Sequence, residues 1–274
     1  MRLRDIVWHL AGQGVKRSRM RIATFNINGI GARLPRLLDW LAEAKPDVAC
    51  LQELKCADEK FPHADIEAAG YHALVHGQKS WNGVAILSKS PAVETQRGLP
   101  GDDADEQSRY LEAAVDGVLV ASIYLPNGNP ILGPKFDYKL AWFARLHAHA
   151  AGLLASELPV VLAGDYNVCP TPEDAFSERA MADNALCQPE SRAAFRTLVA
   201  QGWTDGLRAV HPTGKIYTFW DYTMGAWPRD LGLSIDRLLL SPGLADRLLD
   251  AGVDRHARAA EKASDHAPTW VSLR

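Results

Sequence analysis

Apolar residues along the chain fall into two rhythms. Leu34, Leu37, Leu38, Leu41 and Ala42 lie on one stripe, which predicts a helix over Leu34–Ala44 that Pro46 stops. Lys135–Ser156 is the longest pattern of this kind. Two shorter ones, Phe61–Ala69 and Ala193–Gln201, end at Gly70 and Gly202. Short apolar runs between turn residues predict strands over Arg21–Ile27, Asp47–Gln52, Tyr71–Val75, Gly83–Leu87, Ala92–Gln96, Pro159–Ala163, Ile235–Leu240 and Pro268–Leu273. Tyr110–Val115 and Val118–Tyr124 flank Asp116-Gly117, the signature of a tight hairpin. A short helix is predicted over 242–249. Segment 170–190 is polar and turn-rich, and 216–233 is aromatic without a period.

Many short strands and a few long helices, without regular alternation, predict one domain of two packed sheets with helices outside. The chain of 274 residues is 47% hydrophobic, enough for a sizeable core, and 23% charged. Its four cysteines include no CxxC pair, so they read as reduced thiols of a cytoplasmic protein rather than zinc ligands. No apolar stretch is long enough to span a membrane. Residues 1–19 are basic with a short apolar run. They read as a tail or a misassigned start ahead of a single domain over 20–274, with a transit peptide as the alternative.

Polar residues gather where the strands end. Asn26 and Asn28 close the first, Glu53 the second, and Asp165 and Asn167 follow the run 159–163. Asp236 opens the strand 235–240, and Asp265 and His266 precede the last strand. Any one of these is equally a turn or cap residue. As a set they offer hard oxygen donors, which suit Mg²⁺, with Mn²⁺ as the alternative. They also hold an Asp–His pair, a second carboxylate and amides, the groups that hydrolysis of a phosphodiester requires.

The segments Phe25-Asn26-Ile27-Asn28-Gly29, Leu51-Gln52-Glu53-Leu54-Lys55, His76-Gly77-Gln78-Lys79, Gly83-Val84-Ala85-Ile86-Leu87, Pro100-Gly101-Asp102-Asp103, Tyr124-Leu125-Pro126-Asn127-Gly128, Gly164-Asp165-Tyr166-Asn167, Ile235-Asp236-Arg237-Leu238-Leu239 and Ser264-Asp265-His266-Ala267-Pro268 come in one order. In that order they resemble the exonuclease III family of abasic-site endonucleases, within the endonuclease/exonuclease/phosphatase fold. The likeness covers about residues 20–274. It implies an α+β fold, a four-layer α/β/β/α sandwich of two mixed sheets flanked by helices. It implies a Mg²⁺-dependent DNA-repair nuclease with abasic-site endonuclease, 3′→5′ exonuclease and 3′-phosphodiesterase activities. Its partner would be double-stranded DNA with abasic or blocked 3′ ends, and it would act as a monomer.

The resemblance also assigns roles. Glu53 and Asp265 would hold the metal with help from Asn26 or Asn28, and Asp165, Asn167 and His266 would also belong to the metal site. Asp165 would direct the attacking water, Asn167 and Tyr124 would polarise the phosphate, and His266, oriented by Asp236, would contact it. Asn127 would touch phosphate, and Asn28 the substrate. Phe219, Leu233 and Ile235 would line a pocket for a flipped-out sugar. For Trp220, Tyr222 and Trp227 two readings stay open, pocket flank or packed core.

Two departures bear on substrate preference. Ser234 stands where the family often has arginine, and Tyr166 where it commonly has Met or Phe. The net charge of −3 leaves DNA binding to local cations, two or three of Lys55, Lys79, Arg97, Arg109 and Lys135. A phosphatase or lipid phosphodiesterase of the same fold is the alternative. A non-catalytic DNA-binding module fits less well, because the whole polar set is present.

Overall fold

The computed structural model describes residues 4, 5, 7 and 19–274. Twelve strands follow in chain order. They are β1 (Met20–Asn26), β2 (Val48–Gln52), β3 (His72–His76), β4 (Val84–Ser88), β5 (Val93–Arg97), β6 (Tyr110–Val115), β7 (Val118–Tyr124), β8 (Val160–Asp165), β9 (Thr204–Asp205), β10 (Asp236–Leu240), β11 (Leu248–Val253) and β12 (Thr269–Leu273). The helices are α1 (Ile30–Ala44), α2 (His63–Ala68), α3 (Pro134–Ala155), α4 (Pro189–Ala200), α5 (Gly206–Val210) and α6 (Pro242–Ala245).

The strands form two six-stranded sheets, ordered β11-β12-β1-β2-β4-β3 and β5-β6-β7-β8-β10-β9. Each is antiparallel except for one central parallel pair, β1 with β2 and β7 with β8. Inward-facing residues of both sheets, among them Ile22, Cys50, Ile86, Val120, Val161 and Leu238, share one buried cluster. The outer face of the first sheet packs Phe25 and Leu51 against Leu37, Trp40 and Leu41 of α1 and Ile66 of α2. The outer face of the second packs Ile123, Leu162 and Leu239 against Trp142, Phe143 and Leu146 of α3 and Phe195 and Leu198 of α4. Three apolar interfaces separate four layers, the expected α/β/β/α sandwich.

The pleat explains why chemistry sits at one edge. Side chains alternate faces along a strand, so Ile22, Thr24 and Asn26 point between the sheets, as do Val120, Ser122 and Tyr124. The same holds for Val161, Ala163 and Asp165, and for Asp236, Leu238 and Leu240. Asn26, Tyr124 and Asp165 are the last inward positions of their strands, and Asp236 is the first of an antiparallel neighbour directly opposite Asp165. Just beneath them the core turns polar. Thr24 Oγ1 donates to Gln52 Oε1 at 3.1 Å, and Gln52 Nε2 donates to Ser122 Oγ at 3.1 Å across the two sheets.

The structure differs from the expected elements in four places, one of them α1, which begins at Ile30 rather than Leu34. The helix expected over 242–249 is a single turn, and Leu248–Val253 is instead the edge strand β11. Its weak alternation, with Asp250 and Leu249 both exposed, hid it. The short β9 and α5 were not foreseen, because Thr204–Val210 is too brief to show a period. The helix expected from Ala193 begins at Pro189, a residue that suits a first turn. Within 1–19, Val7 is buried in the outer cluster of the second sheet, and Arg4 Nη2 lies 3.5 Å from Glu157. The tail reading of residues 1–19 otherwise lies outside the described residues.

Candidate active site

Glu53 follows β2 in left-handed backbone, with φ of 53°. Asn28, Lys55 and Asn167 also have positive φ, of 49°, 54° and 48°. L-residues adopt this conformation at a cost of order 1–2 kcal/mol each. Their clustering marks loops whose shape is set by the site.

Three donors converge on the Glu53 carboxylate. Asn26 Nδ2 reaches Oε1 at 2.9 Å, Tyr124 Oη reaches the same oxygen at 2.8 Å, and Lys55 Nζ lies 2.9 Å from Oε2. Burial works to raise the carboxyl, but Asn26 and the Lys55 ammonium outweigh it and hold it below its usual range. Asn26 Nδ2 also donates to Asp165 Oδ2 at 3.0 Å, so one amide ties the two sheets together.

Asp165, His266 and Asp236 form a buried line. His266 Nδ1 bonds Asp236 Oδ2 at 2.9 Å, and its Nε2 lies 3.8 Å from Asp165 Oδ2. Asp165 Oδ1 accepts the Asn167 amide at 2.9 Å. Burial, with Asp236 nearby, lifts the Asp165 carboxyl despite His266. Burial alone would depress the imidazole, but Asp236, Asp165 and Asp265 together raise it to about 10. Thr218 Oγ1 accepts the main-chain amides of Ile235 at 3.0 Å and Asp236 at 3.1 Å, pinning the start of β10.

Asp265 Oδ1 accepts Asn28 Nδ2 at 2.9 Å, and the Asn28 amide donates to Asn26 Oδ1 at 3.1 Å. The two asparagines thus join Asp265 to Glu53. Asn167 is braced on both ends, by Leu125 O at 3.0 Å and Asn127 Nδ2 at 2.9 Å. Below them, Lys139 is fully buried, and its ammonium donates to the carbonyls of Asn127 and Asn167. Burial lowers it to about 7.

Beside this polar group opens a cavity of about 550 Å³. Its lining includes the polar Glu53, Tyr124, Asn127, Asp165, Asn167, Asp265 and His266, and the apolar Phe176, Met181, Leu186, Phe219, Leu233 and Ile235, with Asn184, Asp221 and Thr223 also on it. The Phe219 ring meets the His266 ring edge-on at 4.9 Å.

The expected residues therefore meet in one place, with corrections. Among the described residues, Glu53, Asp165 and His266 offer ligand atoms within 4.8 Å of one another. Asp265 lies outside that group and lines the same cavity. His266 offers a ring nitrogen to that group, and Glu53 and Asp165 offer carboxylate oxygens, the hard donors that Mg²⁺ prefers. Asn26 turns its NH₂ toward the Glu53 and Asp165 carboxylates and its Oδ1 toward the Asn28 amide. Asn167 gives its side-chain NH₂ to Leu125 O and accepts Asn127 Nδ2 at its Oδ1.

Trp220 is fully buried, donates to Asp230 at 2.9 Å and packs on Trp227 at 4.9 Å, so it belongs to the core rather than to the substrate pocket. Tyr222 is half exposed and donates to Ala263 O at 2.8 Å. Ser234 is buried, does not line the cavity, and gives its amide to Asp174 O at 2.7 Å. Lys55 is spent on Glu53 and Asn28, Arg97 on Glu94 at 2.7 Å, and Arg109 lies 4.7 Å from the centre of the Tyr124 ring. Lys79 and Lys135 are exposed.

Lys139, Thr218 and the cavity lining from 176–186 were not foreseen. The only signal for Thr218 was its place two residues before Trp220. A lysine inside an apolar helical stripe was the signal for Lys139.

The fold and site define a class: a hydrolase whose carboxylates and imidazole hang from the joined edges of a two-sheet sandwich, on a cavity lined by polar and apolar side chains. The model of the endonuclease/exonuclease/phosphatase family matches residues 23–266. Exodeoxyribonuclease III of Haemophilus influenzae is 35% identical, over 93% of this chain and all of that protein. An AP endonuclease structure from Archaeoglobus fulgidus superposes with a TM-score of 0.89 at 38% identity, covering 93% of this chain and 99% of that one. A 3′ phosphatase from Neisseria, bound to a product DNA hairpin, superposes at 0.90 with 39% identity and the same coverage. This chain belongs to the endonuclease/exonuclease/phosphatase family.

Proposed function

We propose that this chain is a DNA-repair nuclease that hydrolyses phosphodiester bonds with Mg²⁺, incising duplex DNA at abasic sites and clearing blocked 3′ ends. One observation carries the reading. Glu53, Asp165, Asp265 and His266 line the same cavity as the apolar Phe176, Met181, Phe219, Leu233 and Ile235. The first set suits hydrolysis at phosphorus, and the second suits a base-free sugar turned out of the helix. Relatives whose names describe an exodeoxyribonuclease and an AP endonuclease support the same substrate.

Glu53 and Asp265, with Asp165 beside them, are the residues to hold Mg²⁺. Their donor chemistry fits, since all are carboxylate oxygens and no thiol lines the cavity. When bound, the cation supplies charge neutralisation at the phosphate oxygens. Protonated His266 donates a hydrogen bond to a phosphate oxygen, and Asp236 keeps the ring charged and aimed. Asp165 orients the attacking water and takes its proton. Asn167 and Asn127, held by Lys139 at their main-chain carbonyls, line the cavity and each keep one side-chain N–H for a phosphate oxygen beyond the one given to Leu125 O or Asn167 Oδ1. All these groups come from one chain, which supports action as a monomer. The free thiols of Cys50, Cys56, Cys169 and Cys187 support a reducing, cytoplasmic setting.

The test is a panel of end-labelled duplexes (abasic, 3′-phosphate, nicked, intact) with Mg²⁺ or EDTA. Incision of the abasic duplex in Mg²⁺ and its loss in EDTA are expected. Incision that persists in EDTA overturns the metal assignment. Faster turnover of a lipid or sugar phosphate than of abasic DNA overturns the substrate.

A further inference from the structure

Six large apolar side chains are well exposed among the described residues: Trp81, Val93, Leu132, Tyr222, Met224 and Leu249. Val93 and Leu249 lie on β5 and β11, the edge strands of the two sheets, where one side of the backbone must face water. The other four lie on loops at the edge that carries the site. Met224 lines the cavity itself, and Leu132 follows Asn129, which also lines it. Trp81 precedes Asn82, whose carbonyl accepts the Lys55 amide at 2.9 Å, and Lys55 in turn bonds Glu53.

Singly exposed apolar residues are ordinary. Their concentration around one opening is not, and Trp81 is the largest of them at 78% exposure. Indole is the side chain with the greatest gain from burial. Here it projects from a loop in which Ser80 and Trp81 themselves have positive φ, of 69° and 21°. Lys79, two residues before it, is also exposed. An exposed flat aromatic ring on a loop at the edge that carries the site fits a ligand with π-faces on an anionic backbone.

We propose that Trp81 is a stacking platform for one nucleobase of the DNA near the scissile phosphate, with Leu132 as a lesser apolar contact from the loop after Asn127. This deepens the nuclease reading and rests on it. Base stacking of this kind is sequence-tolerant, because every base has a π-face. It adds affinity for DNA whose bases are already unstacked around a lesion or an end. It also supplies adhesion that a chain of net charge −3 does not obtain from charge alone.

The experiment is fluorescence anisotropy in EDTA, using a duplex with one tetrahydrofuran abasic analogue. Wild type, Trp81→Ala, Trp81→Phe, Leu132→Ala and the distant control Leu249→Ala are compared. Trp81→Ala is expected to weaken binding by about 5- to 100-fold, the span of one lost base stack. Trp81→Phe retains most of the affinity, and Leu249→Ala all of it. The salt dependence of Trp81→Ala matches wild type, because no phosphate contact is lost. The same set is then measured on duplexes that lack one further base at successive positions beside the lesion. On one of these, wild type and Trp81→Ala bind equally, since the partner base is gone.

A Trp81→Ala affinity within about twofold of wild type on every duplex overturns the proposal. So does a loss that no base omission removes, which would place the contact on the backbone. Failure of wild type to incise the abasic duplex in Mg²⁺ would instead remove the nuclease reading beneath it.

Discussion

At the scale of single residues, the site depends on which proton is held where. His266 keeps its proton because Asp236 is bonded to one nitrogen and Asp165 faces the other. Replacing Asp236 by Asn keeps the shape and removes the charge. Asp236→Asn and His266→Ala are each expected to slow incision of an abasic duplex by at least about 10²-fold. Duplex affinity in EDTA is expected to stay near that of wild type. Single-turnover rates and anisotropy separate the two quantities, and an unchanged rate in either variant would take that residue out of the chemistry. Most of these side chains were legible because acidic and amide residues stood at strand ends. Their bonding was not. Nothing in the sequence put the Asn26 NH₂ between two carboxylates. Trp220 and Tyr222 sit two residues apart in one aromatic stretch, yet one is buried and the other half exposed, and only the fold separates them.

At the scale of elements, the hairpin β6–β7 was read to the residue because Asp116-Gly117 fixes its turn and both strands alternate cleanly. The edge strand β11 was missed because nothing covers one of its faces. Between these extremes lies β8, whose end aims Asp165. Its Gly164 is a close approach: a Cβ there would sit 2.0 Å from the carbonyl oxygen of Ile123 on β7. No rotamer relieves such a contact, so the backbones of β7 and β8 must part. Gly164→Ala is therefore expected to cost about 1–3 kcal/mol of stability, the scale of overpacking, and to lower kcat by moving Asp165. A denaturant curve with an unchanged midpoint, or kcat equal to wild type, would count against that account.

At the scale of the whole molecule, the apolar lining of the cavity is fastened by a buried ion cluster away from the catalytic groups. Asp174 Oδ1 accepts Arg208 and Arg237 at 2.7 Å each, and its Oδ2 accepts the Thr171 hydroxyl at 2.7 Å. Phe176 of that lining follows two residues on. Burial would raise this carboxyl, but Arg237, Arg208 and Thr171 drive it far below the usual range. A group with a depressed folded pKa stabilises the protein above its unfolded value of about 3.9. That stability is lost as pH falls further, toward the folded value. Wild type is therefore expected to lose Tm steeply below about pH 4, and Asp174→Asn to show a flatter dependence there. At neutral pH Asp174→Asn should be less stable by about 1–3 kcal/mol, because the buried Arg237 loses its shorter ion pair and keeps only Asp205 at 3.5 Å. Parallel Tm–pH curves for the two proteins would refute the assignment.

The arrangement of β7 has one more consequence. Tyr124 is at one end of that strand and the Asp116-Gly117 turn is at the other, some 20 Å apart at the usual rise per residue. Catalysis and substrate contact occupy one rim of the sandwich, and this turn lies on the far rim. A fluorophore, an affinity handle or a surface tether attached at that turn would leave the mouth of the enzyme facing outward, so immobilised molecules would all present their working side to DNA in solution.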